Sequence, residues 1–78
     1  MKKLSIEYCT AWGYLDKAVS LAQKLLKENK NAISSLELIP SSGGVYVVHL
    51  NEELLFSKKE THRFPNEYEV ENLVTEKL

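Results

Sequence analysis

One residue of this chain can act as a soft nucleophile near neutral pH. It is Cys9, the single cysteine among 78 residues. The thiolate, not the thiol, attacks disulfides and peroxides, so its surroundings decide its use. Cys9 falls where an alternating strand pattern stops and a helical pattern is about to start. Unpaired amides and the dipole at a helix start favour the thiolate. A lone cysteine is as commonly a small buried hydrophobe, and position alone leaves the two roles balanced. A single cysteine excludes an internal disulfide and a cysteine-built zinc site. His49 lies within a strand pattern and His62 within a polar run, neither at metal-ligand spacing from Cys9, so no metal is expected. Ser41-Ser42-Gly43-Gly44 has the composition of a phosphate cradle. The Lys-Ser or Lys-Thr that would open a following helix is missing, and a strand pattern follows instead.

The elements that hold Cys9 can be read from hydrophobic spacing. Leu4, Ile6 and Tyr8 alternate with Ser5 and Glu7, a strand ending at Cys9. Leu15, Ala18, Val19, Ala22, Leu25 and Leu26 then form one face of an amphipathic helix, stopped by Asn29-Lys30-Asn31. A second strand is expected over about Ile33 to Ile39, and Pro40 to Gly44 reads as a loop. Val45 to Leu50 is nearly all apolar or β-branched, the pattern of a strand buried on both faces. After a turn at Asn51-Glu52, Leu54-Leu55-Phe56 makes a fourth strand, and Ser57 to Arg63 is polar. Asn66 with Glu69 three residues on predicts a capping box opening a second helix. Val70, Leu73, Val74 and Leu78 form its inner stripe.

The order is β-α-β-β-β-α, an α+β domain spanning 1–78 with a four-stranded mixed sheet and two helices. The first crossover makes its strands parallel, and the last two strands form a hairpin. This arrangement is the core of the thioredoxin-like class.

Composition narrows the function further. Net charge is −1 with both signs interspersed. The basic footprint of nucleic-acid binding is missing, since Lys58-Lys59 with Arg63 is short and reads as a solvated edge. No apolar stretch approaches the roughly 20 residues of a membrane span, and Met1-Lys2-Lys3 is not followed by the apolar region of a signal peptide. The expected compartment is a reducing cytoplasm, where a free thiol persists.

Tyr8-Cys9-Thr10-Ala11-Trp12-Gly13-Tyr14 closely resembles the redox loop of the selenoprotein W, T and H family, often called the Rdx family. In that family a strand ends in Tyr-Cys, two residues follow, and then come cysteine or selenocysteine and a helix. Pro40 through Val47 resembles the family's small-residue loop entering a strand. Leu55 to Lys59 resembles its segment ending in Ser-Lys-Lys, and Arg63-Phe64-Pro65 its Gly-Phe-Pro before the last helix. The four segments follow in order along nearly the whole chain.

The resemblance implies a thioredoxin-like fold and thiol redox chemistry linked to glutathione or thioredoxin. No bound cofactor is implied, and glutathione would be the thiol partner. Cys9 and position 12 would be the redox pair. Thr10, Ala11, Gly13, Ser42, Gly43 and Gly44 would contact the thiol partner, and protein partners would meet the same loop. The departure is Trp12, which stands where the family has selenocysteine or a second cysteine. Indole forms no disulfide. Selenocysteine is encoded by UGA, one base from the tryptophan codon UGG, so Trp12 is either a selenocysteine codon read as tryptophan or a genuine residue of a one-thiol relative. With selenocysteine at position 12, that residue would attack and Cys9 resolve. With tryptophan, only a mixed disulfide at Cys9 remains, or a non-catalytic binding module. A poised thiolate is expected to alkylate faster than free cysteine.

Overall fold

A computed structural model describes residues 2–78. The strands are β1 (Lys3–Cys9), β2 (Ser35–Ser41), β3 (Tyr46–Leu50) and β4 (Glu53–Ser57). The α-helices are α1 (Tyr14–Asn29), α2 (Lys58–Thr61) and α3 (Glu69–Lys77), and a 3₁₀ turn covers Lys30–Ala32. The sheet order is β2-β1-β3-β4. β1 and β2 are parallel, pairing Lys3 with Ser35 through Cys9 with Ser41. β1 and β3 are antiparallel, as are β3 and β4, with an irregularity at Val48/His49. The four-stranded mixed sheet and the α+β class are those expected; the third helix is not.

α1 and α3 pack against one another and cover one face of the sheet. Leu4, Ile6, Leu25, Val48, Val70 and Val74 are the largest fully buried side chains between the layers. Covering a single face changes one expectation. β3 alternates, with Tyr46, Val48 and Leu50 buried and Val47 and His49 half-buried, so it is not enclosed on both sides. A run of β-branched residues cannot distinguish these cases, because Val47 suits a pleated surface whether or not a helix covers it.

The face that α1 buries is also rotated from the one spacing suggests. Tyr14, Ala18, Leu21, Ala22 and Leu25 are buried, whereas Leu15, Val19 and Leu26 remain more than two-fifths exposed. The cause is tertiary. Tyr14 stacks edge-on to Phe64 with ring centroids 4.9 Å apart, and α3 flanks the Leu21 side.

Boundaries moved for local reasons. β2 runs through Pro40 and Ser41, which the loop-like composition of Pro40 to Gly44 concealed; the turn proper starts at Ser42. The positive-φ residue after α1 is Lys30 (φ 46°), not an asparagine, while Asn29 Nδ2 donates to the Leu25 carbonyl at 3.0 Å. The polar stretch after β4 holds α2, with Thr61 Oγ1 donating to the Ser57 carbonyl at 2.9 Å. α3 starts at Glu69 rather than just after Asn66, with Tyr68 left-handed (φ 64°) ahead of it and Leu78 exposed at its end.

Half of the capping box survives. Glu69 Oε1 accepts the Asn66 amide at 2.9 Å, but the Asn66 side chain makes no cap. Glu69 also forms a two-armed pair with Arg63, at 2.7 and 3.0 Å. The Arg63 hydrogen bonds, then the Asn66 amide, pull the Glu69 carboxyl down from 4.5 to about 2. Its folded value lies below its unfolded one, so the stabilisation is complete above about pH 4.5 and is lost as pH falls toward 2. Glu69→Gln is therefore expected to flatten the acid limb of a stability-against-pH curve in that window; an unchanged limb would refute the assignment. The pair is solvent-facing, so the effect is small.

Candidate functional site

The site lies where β1 and β2 end and β3 begins. The Cys9 amide donates to the Val45 carbonyl at 2.9 Å, and the Thr10 amide to the Ser41 carbonyl at 3.1 Å. Cys9 is thus pinned between the two strands that flank the Ser42–Gly44 turn. Beyond it the chain turns sharply. Trp12 (φ 57°) and Gly13 (φ 73°) are both left-handed, and the Tyr14 amide closes on the Ala11 carbonyl at 3.3 Å. Non-glycine residues rarely adopt that conformation, and for an indole side chain it is strained. The turn folds the Ala11 amide back so that it donates to Cys9 Sγ at 3.5 Å.

The second turn carries the same signature, with Gly43 (φ 77°) and Gly44 (φ 73°) in succession. A Cβ on Gly44 would sit 3.7 Å from Tyr14 Oη and 3.9 Å from Trp12 Cζ3, so this glycine borders the first turn closely. Gly43 points into open space and Ser42 is exposed. Of the residues named for the site, the fold brings Cys9, Thr10, Ala11, Trp12, Gly13 and Gly44 together. Ser42 and Gly43 lie on the outside of the second turn.

The two redox positions differ sharply in access. Trp12 is 78% exposed and Cys9 3% exposed. The helix also starts only at Tyr14, after a Gly13 cap without a side-chain bond, and not directly after Cys9. Both facts correct the expectation of a thiolate poised by the α1 dipole and quick to alkylate. The amide that reaches the sulfur belongs to the loop, and the sulfur is covered. Cys9 of the native chain is expected to react with iodoacetamide at least tenfold more slowly than a free thiol, because the loop must open first. Intact-mass kinetics in buffer and in denaturant would read this, and equal rates would contradict it.

Tyr14 is part of the packing: it is 8% exposed, between Trp12 (centroids 6.2 Å) and Phe64. Lys58 lies over both the Tyr14 and Phe64 rings, at 5.9 and 5.4 Å, and so belongs to this aromatic pile rather than to a solvated edge. The Arg63-Phe64-Pro65 segment carried the signal for Phe64, but not for its stacking on Tyr14. Among the described residues no three of His, Cys, Asp and Glu converge as metal ligands, and no helix is long and apolar enough to cross a membrane.

A parallel β1-α1-β2 crossover, an antiparallel β3-β4 hairpin and a tight turn at the end of β1 define a thioredoxin-like domain. The chain belongs to the Rdx family, whose model matches residues 3–76. A crystal structure of a Bordetella parapertussis protein superposes with a TM-score of 0.92, at 28% identity over 99% of this chain and 98% of that one. That of a selenoprotein W-related protein from Vibrio cholerae gives 0.81, at 23% identity over 94% and 96%, which speaks for the shared fold. No curated protein matches the chain.

Proposed function

We propose that this is a small thiol redox protein of the selenoprotein W type, in which a selenocysteine at position 12, where this chain carries Trp12, would attack and Cys9 would resolve. The observation that supports this is the contrast within one turn: position 12 projects into solvent, while Cys9 is buried with a backbone amide on its sulfur. An exposed chalcogen at position 12 would attack a substrate disulfide, forming a mixed bond and releasing one thiolate. Cys9 thiolate would then displace the second thiolate and close a bond to position 12. The substrate gains two electrons, the domain is oxidised by two, and glutathione or thioredoxin thiols return it to the reduced state. No bound cofactor is needed, and a reducing cytoplasm fits this cycle.

With tryptophan at position 12, the chemistry left is exchange at Cys9 alone. Cys9 thiolate and glutathione disulfide give a Cys9–glutathione mixed disulfide and one glutathione thiolate. A second reading follows from the same indole. An exposed tryptophan held against Tyr14 suits a contact surface for a protein partner, and would make the domain a binding module. The codon at position 12 separates the two. UGA, together with disulfide reduction by the selenocysteine or Trp12→Cys form, supports the oxidoreductase. UGG with an inert Trp12→Cys form supports the module.

A further inference from the structure

We propose that the cleft between α1 and the start of α3 binds a small amino-acid-type zwitterion, its ammonium on Glu71 and its carboxylate at Lys17 and Lys24. The cleft encloses about 320 Å³ and is lined by α1, Tyr46 and the segment from Phe64 to Glu71. It lies apart from Cys9, and the proposal does not depend on the redox mechanism.

Glu71 is the reason to expect a ligand. It is the one charged side chain in the buried interior of the described residues, 5% exposed, and it has no hydrogen bond or ion pair there. None of its oxygens is sealed from solvent without a partner, so what remains unpaired opens on the cleft it lines. A carboxylate with no partner in the fold, opening on a cleft, leaves its acceptor oxygens free for an incoming cation. The neighbouring phenol is not that cation. The Tyr46 hydroxyl donates to the Lys17 carbonyl at 3.3 Å. It is held protonated, its pKa pushed up to about 12 by burial first and by the Glu71 charge second.

The rim states what else the ligand carries. Lys17 Nζ lies 4.6 Å over the Phe64 ring and Lys24 Nζ 5.7 Å over the Tyr68 ring, and neither has an ion pair among the described residues. Seven residues apart, they project from the same side of α1. Two ammonium groups at the mouth repel a polycation and attract a carboxylate. A cation-seeking carboxylate on the floor, two cations at the rim and apolar walls at Phe64 and Pro65 together match the ammonium, carboxylate and apolar stem of an amino acid. Asp16 and Glu67, also on the lining, add negative charge that helps the ammonium enter.

The same head group occurs on free amino acids and on γ-glutamyl peptides, whose α-ammonium and α-carboxylate are both free. The ¹⁵N-labelled full chain would be titrated with L-leucine, leucine methyl ester, N-acetyl-leucine and S-methylglutathione, following amide shifts by NMR. S-methylglutathione has no free thiol, so it reports binding even if the redox mechanism fails. Saturable shifts at Lys17, Leu21 and Glu71 are expected with leucine, S-methylglutathione or both, the tighter of the two naming the source. The ester and the N-acetyl form should each bind about tenfold more weakly, as should both positive ligands to Glu71→Gln, from losing a charged hydrogen bond. Lys24→Met, on the exposed rim, should weaken the zwitterion and spare the ester, and it keeps the test valid if Glu71→Gln does not fold. No saturable shift with either zwitterion, or equal binding of ester and amino acid, would overturn the proposal.

Discussion

Trp12→Cys is expected to close a reversible disulfide with Cys9, so that two free thiols fall to none in excess glutathione disulfide. The parent chain should show one thiol, reached slowly, and no intramolecular bond. The reason is the turn at the end of β1. Left-handed residues at 12 and 13 and the Tyr14-to-Ala11 closure fold position 12 back over the segment whose amide already touches Cys9 Sγ. A thiol at the exposed position needs no opening step to meet a substrate, whereas buried Cys9 does. Reduction of a small disulfide should therefore be faster in the variant by at least about tenfold, the equivalent of about 1.4 kcal/mol off the barrier. Thiol counting and intact mass decide the matter. A variant that gives two separate glutathione adducts and no bridge would show that the turn cannot join the two positions.

The second large effect is on the layer that holds the turn in place. Leu25 on α1 is fully buried against the sheet, in one cluster with Leu4, Ile6 and Val48. Leu25→Ala should cost about 3 kcal/mol or more, the transfer term plus the cavity left behind. A domain of this length has roughly 4–12 kcal/mol in all, so that single change removes a quarter to most of it. The denaturant midpoint should fall with an unchanged slope. Leu26→Ala, one residue on, is the control: Leu26 is 43% exposed, and its loss should stay within about 0.5 kcal/mol. Equal losses at the two positions would mean that α1 presents the face its spacing first suggested.

Those two leucines show where the chain's own pattern stops being informative. Leu15, Ala18, Val19, Ala22, Leu25 and Leu26 satisfy helical spacing, yet three of the six face water. Spacing sets that a helix has an apolar side. Which 100° of it is buried depends on Tyr14 docking on Phe64, a contact between residues fifty positions apart. The alternation Leu4-Ile6-Tyr8 was unambiguous because strand period and one-sided burial agree. Val45 to Leu50 was ambiguous because a β-branched residue fits either environment. Glu71 had no signal at all. A glutamate one position from Val70 reads as helix surface, and only the closure of α1 on α3 makes it an interior charge.

The local order of residues determined the four strands, the parallel crossover and hairpin, the junction that carries Cys9, and the membership in a redox family through matched segments. These are short-range properties: period, turn chemistry and residue type at a fixed offset. Tertiary structure alone decided that Cys9 is covered and position 12 is not, that Gly44 borders the turn while Ser42 and Gly43 do not, and that a carboxylate ends up inside. Each of these depends on how surfaces distant in the chain come together, and burial is a property of that assembly rather than of any segment within it.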